Sequence, residues 1–137
     1  MLIEVQLFQI VITDGVDTQV IVLKERRGER QLPIFIGAGE ARAIERKLKD
    51  VPVPRPLTHD LAVDIIYKLG GSMTRVVIND LRDETYFARI EIVQDGELRE
   101  IDARPSDAVA LAVRGGVPIY VEECVFDRTK ASDLSKL

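Results

Sequence analysis

The chain is organised around the stretch Ile101-Asp102-Ala103-Arg104-Pro105-Ser106-Asp107-Ala108-Val109-Ala110-Leu111-Ala112-Val113, which has the pattern of a strand end running straight into a buried helix. Pro105 lacks a backbone N–H and holds φ near the helical value, so it fits this junction. Ser106 is predicted as the N-cap, with Asp107 in the first turn, where a carboxylate meets the positive end of the helix dipole. Because no residue from Ala108 to Val113 is polar, we expect this helix in the middle of the core.

Length and composition predict one globular domain covering residues 1–137, with 46% hydrophobic residues available for a single core. No apolar run approaches the roughly 18 residues of a membrane span, and the N-terminus lacks the basic start of a signal peptide, so a cytoplasmic protein is expected. The single cysteine, Cys124, fits that compartment and is expected to pack in the core. The net charge of −4 provides no general attraction to nucleic acid, so such binding would need a local basic patch.

Hydrophobic periodicity and turn signals predict an α+β fold with mixed, mainly antiparallel sheets and packed helices. The order strand, strand, strand, helix occurs twice at a constant offset of 67 residues, and Glu40 and Asp107 open the two helices. We therefore hypothesise a duplicated β-β-β-α unit around one core. The predicted strands cover residues 2–12, 18–25, 30–36, 74–81, 85–93, 98–103 and 117–121, and the predicted helices cover residues 40–49, 58–69, 107–113 and 127–137.

On the helix predicted over residues 58–69, apolar side chains recur at helical spacing. Leu61, Ile65 and Leu69 are expected to form its buried stripe, widened by Ala62 and Ile66. The helix would then pack this stripe on the sheet.

A first polar cluster lies at the start of that helix, where Thr58 is the predicted N-cap and His59 and Asp60 follow in the first turn. Histidine is the residue type best suited to acid or base work near neutral pH, although His59 could equally be a surface or capping residue. Asp60 and Asp64 share a face and could present two oxygen ligands to magnesium. The alternative is that Asp60 complements the helix dipole while Asp64 is solvated.

A second polar cluster consists of Asp102, Arg104, Ser106 and Asp107 at the start of the central helix. A metal-dependent phosphodiesterase needs carboxylates to hold its cation and an arginine to balance the phosphate charge, and this cluster contains both. The structural alternative is an internal Asp–Arg bridge that ties the strand end to the helix start.

A basic face on the helix predicted over residues 40–49 carries Arg42, Arg46 and Lys49, with Lys47 beside them. Such a face could contact phosphates, but a charged face on a surface helix is usually only solvated.

Two long motifs in this order, Arg55-Pro56-Leu57-Thr58-His59-Asp60-Leu61 and the Asp102–Ala112 segment, resemble the bifunctional nuclease domain family, also described as a domain of unknown function. The resemblance covers nearly the whole chain. It implies a compact domain of helices and strands, and it suggests a nuclease, since the family takes its name from plant members described as cutting both DNA and RNA. The site residues named here rest on the motifs themselves.

Our leading hypothesis is a metal-assisted nuclease that cleaves phosphodiester bonds of single-stranded or double-stranded DNA or RNA. Asp102 and Asp107, with Asp60 as a further candidate, would hold Mg²⁺ or Mn²⁺, and no organic cofactor is expected. Arg55 and Arg104 would neutralise phosphate, and His59 would carry a proton.

The rival hypothesis is a non-catalytic binding or regulatory module, expected to be a homodimer, in which Asp102, Arg104 and Asp107 form an internal polar lock. The two hypotheses differ in one spatial expectation. A nuclease requires the two polar clusters to face a common open recess.

Overall fold

The structure is a computed structural model that describes residues 1–13, 15 and 17–134, with side chains described up to residue 129. These residues form one seven-stranded sheet and four helices. The strands are β1 (Leu2–Val11), β2 (Thr18–Glu25), β3 (Gln31–Gly37), β4 (Gly71–Arg82), β5 (Thr85–Gln94), β6 (Glu97–Ala103) and β7 (Ile119–Glu122). The helices are α1 (Ala38–Leu48), α2 (Thr58–Lys68), α3 (Pro105–Gly115) and α4 (Glu123–Leu134).

The sheet has the order β3-β2-β1-β7-β4-β5-β6, so two antiparallel three-stranded meanders flank the short strand β7. β7 runs antiparallel to β1 and parallel to β4. Each meander is followed by a helix, α1 after β3 and α3 after β6. The α+β class is confirmed, and the strands form a single mixed sheet.

The core is built around α3, which packs against α1, α2, β4 and β5. Its residues from Ala108 to Ala112 are buried, as their apolar character predicts. The edge strand β3 shows strict alternation, since Leu32, Ile34 and Ile36 point into the core while Pro33 and Phe35 stay exposed. The position of Pro33 on an edge strand also agrees with the sequence.

Both predicted N-caps are wrong by one or two residues. α3 begins at Pro105, and the extended residue before it, Arg104, is the N-cap in place of Ser106. α2 begins at Thr58 with Leu57 as its N-cap. The carboxylate of Asp60, the third residue of the helix, accepts the Leu57 backbone N–H at 3.0 Å, which is the contact that the acidic residue of a capping box makes.

The predicted buried stripe of α2 is wrong at its centre and right where Ala62 and Ile66 were expected to widen it. Leu61, Ile65 and Leu69 are exposed, whereas the neighbouring positions Ala62 and Ile66 pack against the core. The helix is therefore rotated relative to the expectation, and Ala62 also lines the central cleft described below. Cys124, expected in the core, is exposed as well.

No helix within the described residues is both long enough and apolar enough to span a membrane.

One face of the sheet carries a buried carboxylate that two cations neutralise. Glu91 on β5 accepts hydrogen bonds from Arg75 Nε at 2.8 Å and from Arg89 Nε at 2.9 Å, and its side chain is only 5% exposed. Burial alone would raise the pKa of Glu91, but the hydrogen bonds from the two arginines outweigh burial and lower the pKa below its usual value. The ion pair between Glu91 and Arg75 therefore ties β5 to β4.

We predict that Glu91→Ala lowers the free energy of unfolding by about 2–4 kcal/mol at neutral pH, because it leaves two partly buried guanidinium groups without their shared partner. Since the folded pKa is depressed, the carboxylate stabilises the fold above its unfolded pKa of about 4.3, and this contribution is lost as the pH falls through the folded pKa. Urea denaturation at several pH values should show a shallower acid limb for Glu91→Ala and Glu91→Gln than for the wild type. Parallel curves would contradict this prediction.

Candidate functional site

The first turns of three helices meet at one open cleft of about 630 Å³. Glu40 of α1, His59 of α2 and Asp107 of α3 all lie within the first three residues of their helices. First-turn N–H groups have no intrahelical partners and carry the positive end of the helix dipole, which favours anions nearby. The central cleft is lined by Gly39, Glu40, Ala43, Arg46, Leu57, Thr58, His59, Ala62, Arg104, Asp107 and Leu111.

Asp107 connects the two polar clusters that the sequence placed apart. Its Oδ1 lies 3.0 Å from Nε2 of His59, and its Oδ2 accepts a hydrogen bond from Nε of Arg104 at 2.9 Å. Burial alone would raise the pKa of Asp107, but the hydrogen bonds from Arg104 and His59 outweigh burial and hold the pKa below its usual value. Asp107 is therefore ionised at neutral pH.

An ionised carboxylate can only accept, so the His59 nitrogen that faces Asp107 carries the proton. In the neutral ring, Nδ1 is then the unprotonated nitrogen. The His59 side chain is mostly buried, which fixes the ring against Asp107. This arrangement orients a base, as a carboxylate does for the histidine of a hydrolytic triad.

Arg104 bridges two helix starts through a second carboxylate. Its guanidinium lies 3.0 Å from Oε1 of Glu40 while it donates to Asp107. The two carboxylates raise the pKa of Arg104, with the hydrogen bond to Asp107 as the largest cause. Because the Arg104 side chain is still largely exposed, its remaining N–H groups can reach a ligand in the cleft.

Arg46 of α1 also lines the central cleft. Its guanidinium forms no ion pair with any residue that the structure describes, and its Nε is buried without a hydrogen-bond partner. The outer N–H groups of this guanidinium, which form no ion pair within the described part of the chain, are donors that an anion in the cleft can accept from.

The other predicted site residues lie away from this cleft. Asp60 lines a neighbouring recess at the α2 start, where it caps Leu57 and pairs with Arg114. Asp102 is exposed on the edge strand β6, next to Arg89 of β5 in register, and Arg55 is exposed in the connector before α2. Neither Asp102 nor Arg55 is among the described residues that line the central cleft.

A metal site at Asp102 and Asp107 finds little support in this donor set. The described part of the chain contains no group of three or more His, Cys, Asp or Glu side chains placed to hold one metal ion. Both oxygens of Asp107 already have partners in Arg104 and His59. The residues present do not fit a cation held by the protein alone.

The sequence motifs do not assign Glu40 to the site, although the 67-residue offset between the two β-β-β-α units indicates it. That offset aligns Glu40 with Asp107, and both are the third residue of their helices. The sequence distinguishes Arg46 only as one member of the basic face on the helix predicted over residues 40–49.

Fold and site together define an α+β domain with an Asp–His pair and two arginines in an open cleft. The bifunctional nuclease domain model matches residues 21–133. The chain therefore belongs to the bifunctional nuclease domain family.

Relatives support the same grouping. An uncharacterised protein of Mycobacterium tuberculosis is 46% identical over 122 residues, which cover 89% of this chain and 73% of the relative. Bifunctional nuclease 2 of Oryza sativa subsp. japonica is 33% identical over 105 residues, covering 74% of this chain and 32% of the relative. Bifunctional nuclease 1 of Oryza sativa subsp. indica is 28% identical over 112 residues, covering 79% and 34%. The matched region thus spans about a third of each of these plant proteins.

We predict that Asp60 is a structural residue. The Arg114 side chain is only 7% exposed and pairs with Asp60, so Asp60→Ala should lower the free energy of unfolding by about 3 kcal/mol by leaving a buried cation unpaired. Asp60→Asn should cost less because its single amide oxygen can still accept from either Leu57 or Arg114, although these two donate to different oxygens of Asp60. Urea denaturation measures both changes.

The matched control is Asp64→Ala, which removes an exposed carboxylate from the same helix and should change stability by no more than about 0.5 kcal/mol. Equal stability losses for Asp60→Ala and Asp64→Ala would contradict the structural role of Asp60.

Proposed function

We propose that this protein is a nuclease that hydrolyses phosphodiester bonds of DNA or RNA in the central cleft. The observation that carries the proposal is the 3.0 Å contact between His59 Nε2 and Asp107 Oδ1 beside the unpaired guanidinium of Arg46. Membership of the family and the names of the plant relatives support a nuclease over other hydrolases.

His59 would act as the general base. Its Nδ1 takes a proton from a water molecule, whose oxygen forms a bond to phosphorus while the bond from phosphorus to the leaving oxygen breaks. The leaving oxygen takes a proton from solvent. Asp107 holds the ring in the required tautomer and stabilises the imidazolium that forms.

Arg46 and Arg104 would stabilise the negative charge that builds up on the phosphate oxygens. The N-termini of α1, α2 and α3 add positive partial charge at the same place. Because Glu40 and Asp107 balance the two arginines in the cleft, the helix N-termini supply the excess of positive partial charge there.

Assistance by Mg²⁺ or Mn²⁺ stays a prediction from the sequence. The described residues do not form a complete donor set for either ion. A substrate phosphate can itself complete the coordination of magnesium, so the assay includes both cations and a chelator.

We predict that His59→Gln lowers the rate of hydrolysis of single-stranded DNA and RNA by about 10²–10⁴-fold, the usual contribution of a general base. Asp107→Asn should lower it by at least about tenfold, because the amide can bond the wrong ring tautomer. Highly purified protein is assayed on labelled oligonucleotides with Mg²⁺, with Mn²⁺ and with EDTA.

Asp64→Asn is the matched control, because it removes an exposed acid of α2 outside the cleft and should keep full activity. If the Asp–His pair is the catalytic centre, Asp102→Ala should keep full activity as well. A loss of activity in Asp102→Ala, together with dependence of hydrolysis on a divalent cation, would favour the predicted metal site. Activity that survives both His59→Gln and Asp107→Asn would refute the proposal.

The second candidate function is a non-catalytic, homodimeric binding module. The exposed apolar stripe Leu61, Ile65 and Leu69 favours it, because such a row on one helix face suits contact with a second copy. The stripe ends beside the β5–β6 turn, where the Gln94 amide donates to the Leu69 carbonyl at 2.8 Å. Under this alternative, Asp107→Asn would lower the melting temperature while wild type and variant alike show no hydrolysis.

A further inference from the structure

A second recess of about 260 Å³ adjoins the central cleft, and Arg46 and Leu57 belong to the walls of both. Its remaining walls come from the end of α1, the connector before α2 and the last turn of α3. It is lined by Arg46, Lys47, Asp50, Val51, Pro52, Val53, Leu57, Asp60 and Arg114. We call it the Arg46 recess.

The charge in the Arg46 recess is not balanced internally. Asp60 neutralises Arg114, and the Arg114 guanidinium also donates to the Ala43 carbonyl at 3.1 Å. Arg46 and Lys47 form no ion pair with any residue in the described ranges, and Asp50 is the other acid in the lining. The recess therefore keeps an excess of positive charge.

Two guanidinium nitrogens in this lining lack hydrogen-bond partners. Nε of Arg46 and Nε of Arg114 are both buried, and neither has a partner among the described residues. The Arg114 side chain is more than nine-tenths buried, so water has little access to it. Because both Nε atoms have almost no accessible surface, a ligand in the recess would meet the outer nitrogens of Arg46, and anion oxygens are the acceptors that arginine pairs with most strongly.

We infer that the Arg46 recess binds a backbone phosphate of a nucleic acid strand, next to the phosphodiester that lies in the central cleft. The inference rests on the proposed function and names the substrate contact that positions the strand. Arg46, shared by both cavities, contacts the strand between the two phosphates, and Lys47 neutralises the phosphate in the recess. Arg46 and Leu57 form the wall between the two cavities, so the two phosphates would lie on either side of Arg46.

A free phosphate ion has the same chemistry as a backbone phosphate, so the experiment separates the two sources. The probes are a short fluorescein-labelled oligothymidylate and inorganic phosphate. Binding is followed by fluorescence anisotropy at several salt concentrations for the strand and by competition for the ion. All proteins carry His59→Gln, so that the strand stays intact during the measurement.

Lys47→Gln is the test variant, because Lys47 is exposed and lines the recess but not the central cleft. Losing one phosphate contact should weaken strand binding by about tenfold at low salt and reduce the slope of log K against log salt by about 1. The double variant Arg46→Gln/Lys47→Gln should weaken strand binding further and reduce the salt slope further. Lys68→Gln is the matched control, since Lys68 is exposed at the far end of α2, about 15 Å away along the helix.

A loss confined to the recess variants, with Lys68→Gln unchanged, supports the inference. Equal losses in Lys47→Gln and Lys68→Gln would overturn it, because they would indicate general electrostatic attraction. It is also overturned if the strand does not bind, or if inorganic phosphate binds in a Lys47-dependent manner and the strand does not.

Failure here is distinguishable from failure of the proposed function. If hydrolysis depends on His59 but strand binding is unchanged by Lys47→Gln, the proposed function is retained and the phosphate site in the Arg46 recess is refuted. Strand binding that depends on Lys47, without any hydrolysis by protein carrying the native His59, retains the recess and removes the catalytic proposal.

Discussion

The carboxylate of Asp107 is the contact on which the arrangement of the site depends. One oxygen meets His59 from α2, the other receives Arg104 from the start of α3, and through Arg104 the link extends to Glu40 of α1. Three helix starts are thereby joined by a chain of ion pairs. Like partial charges at three helix N-termini would otherwise repel one another, so the first-turn acids Glu40, Asp60 and Asp107 stabilise the convergence.

The rest of the fold holds that carboxylate at the rim of a packed core. Alanines at positions 108, 110 and 112 are buried and let α1, α2 and the sheet approach α3 closely. At its end, α3 stops at Gly116, whose φ of 67° lies in the left-handed region that favours glycine. Because a buried helix cannot easily rotate, the side chain of its third residue has a defined position.

Much of this arrangement follows from local sequence. The apolar run after Asp107 predicts the buried helix. The Asp, Pro and Gly residues of the turns predict the strand ends to within a few residues. The rotation of α2 does not follow from sequence, because Leu61, Ile65 and Leu69 satisfy the helical period as well as Ala62 and Ile66 do. Tertiary packing around the cleft places Ala62 and Ile66 against the core.

The site was predictable in part for the same reason. His59, Arg104 and Asp107 lie in first turns or at an N-cap, where position follows from the helix signals. Asp102 and Arg55 share the motifs but lie on an edge strand and in a connector, and motif proximity cannot tell these positions from the cleft. Glu40, the second carboxylate on Arg104, could be found from the sequence only through its alignment with Asp107 at the 67-residue offset.

The tautomer of His59 tests the account most directly, since this is the single histidine of the sequence and its ring can be observed without overlap. Long-range ¹H–¹⁵N NMR spectra at neutral to mildly alkaline pH should show the proton on Nε2 and an unprotonated Nδ1, with this preference lost in Asp107→Asn. A ring protonated on Nδ1, or a spectrum that Asp107→Asn does not alter, would contradict it.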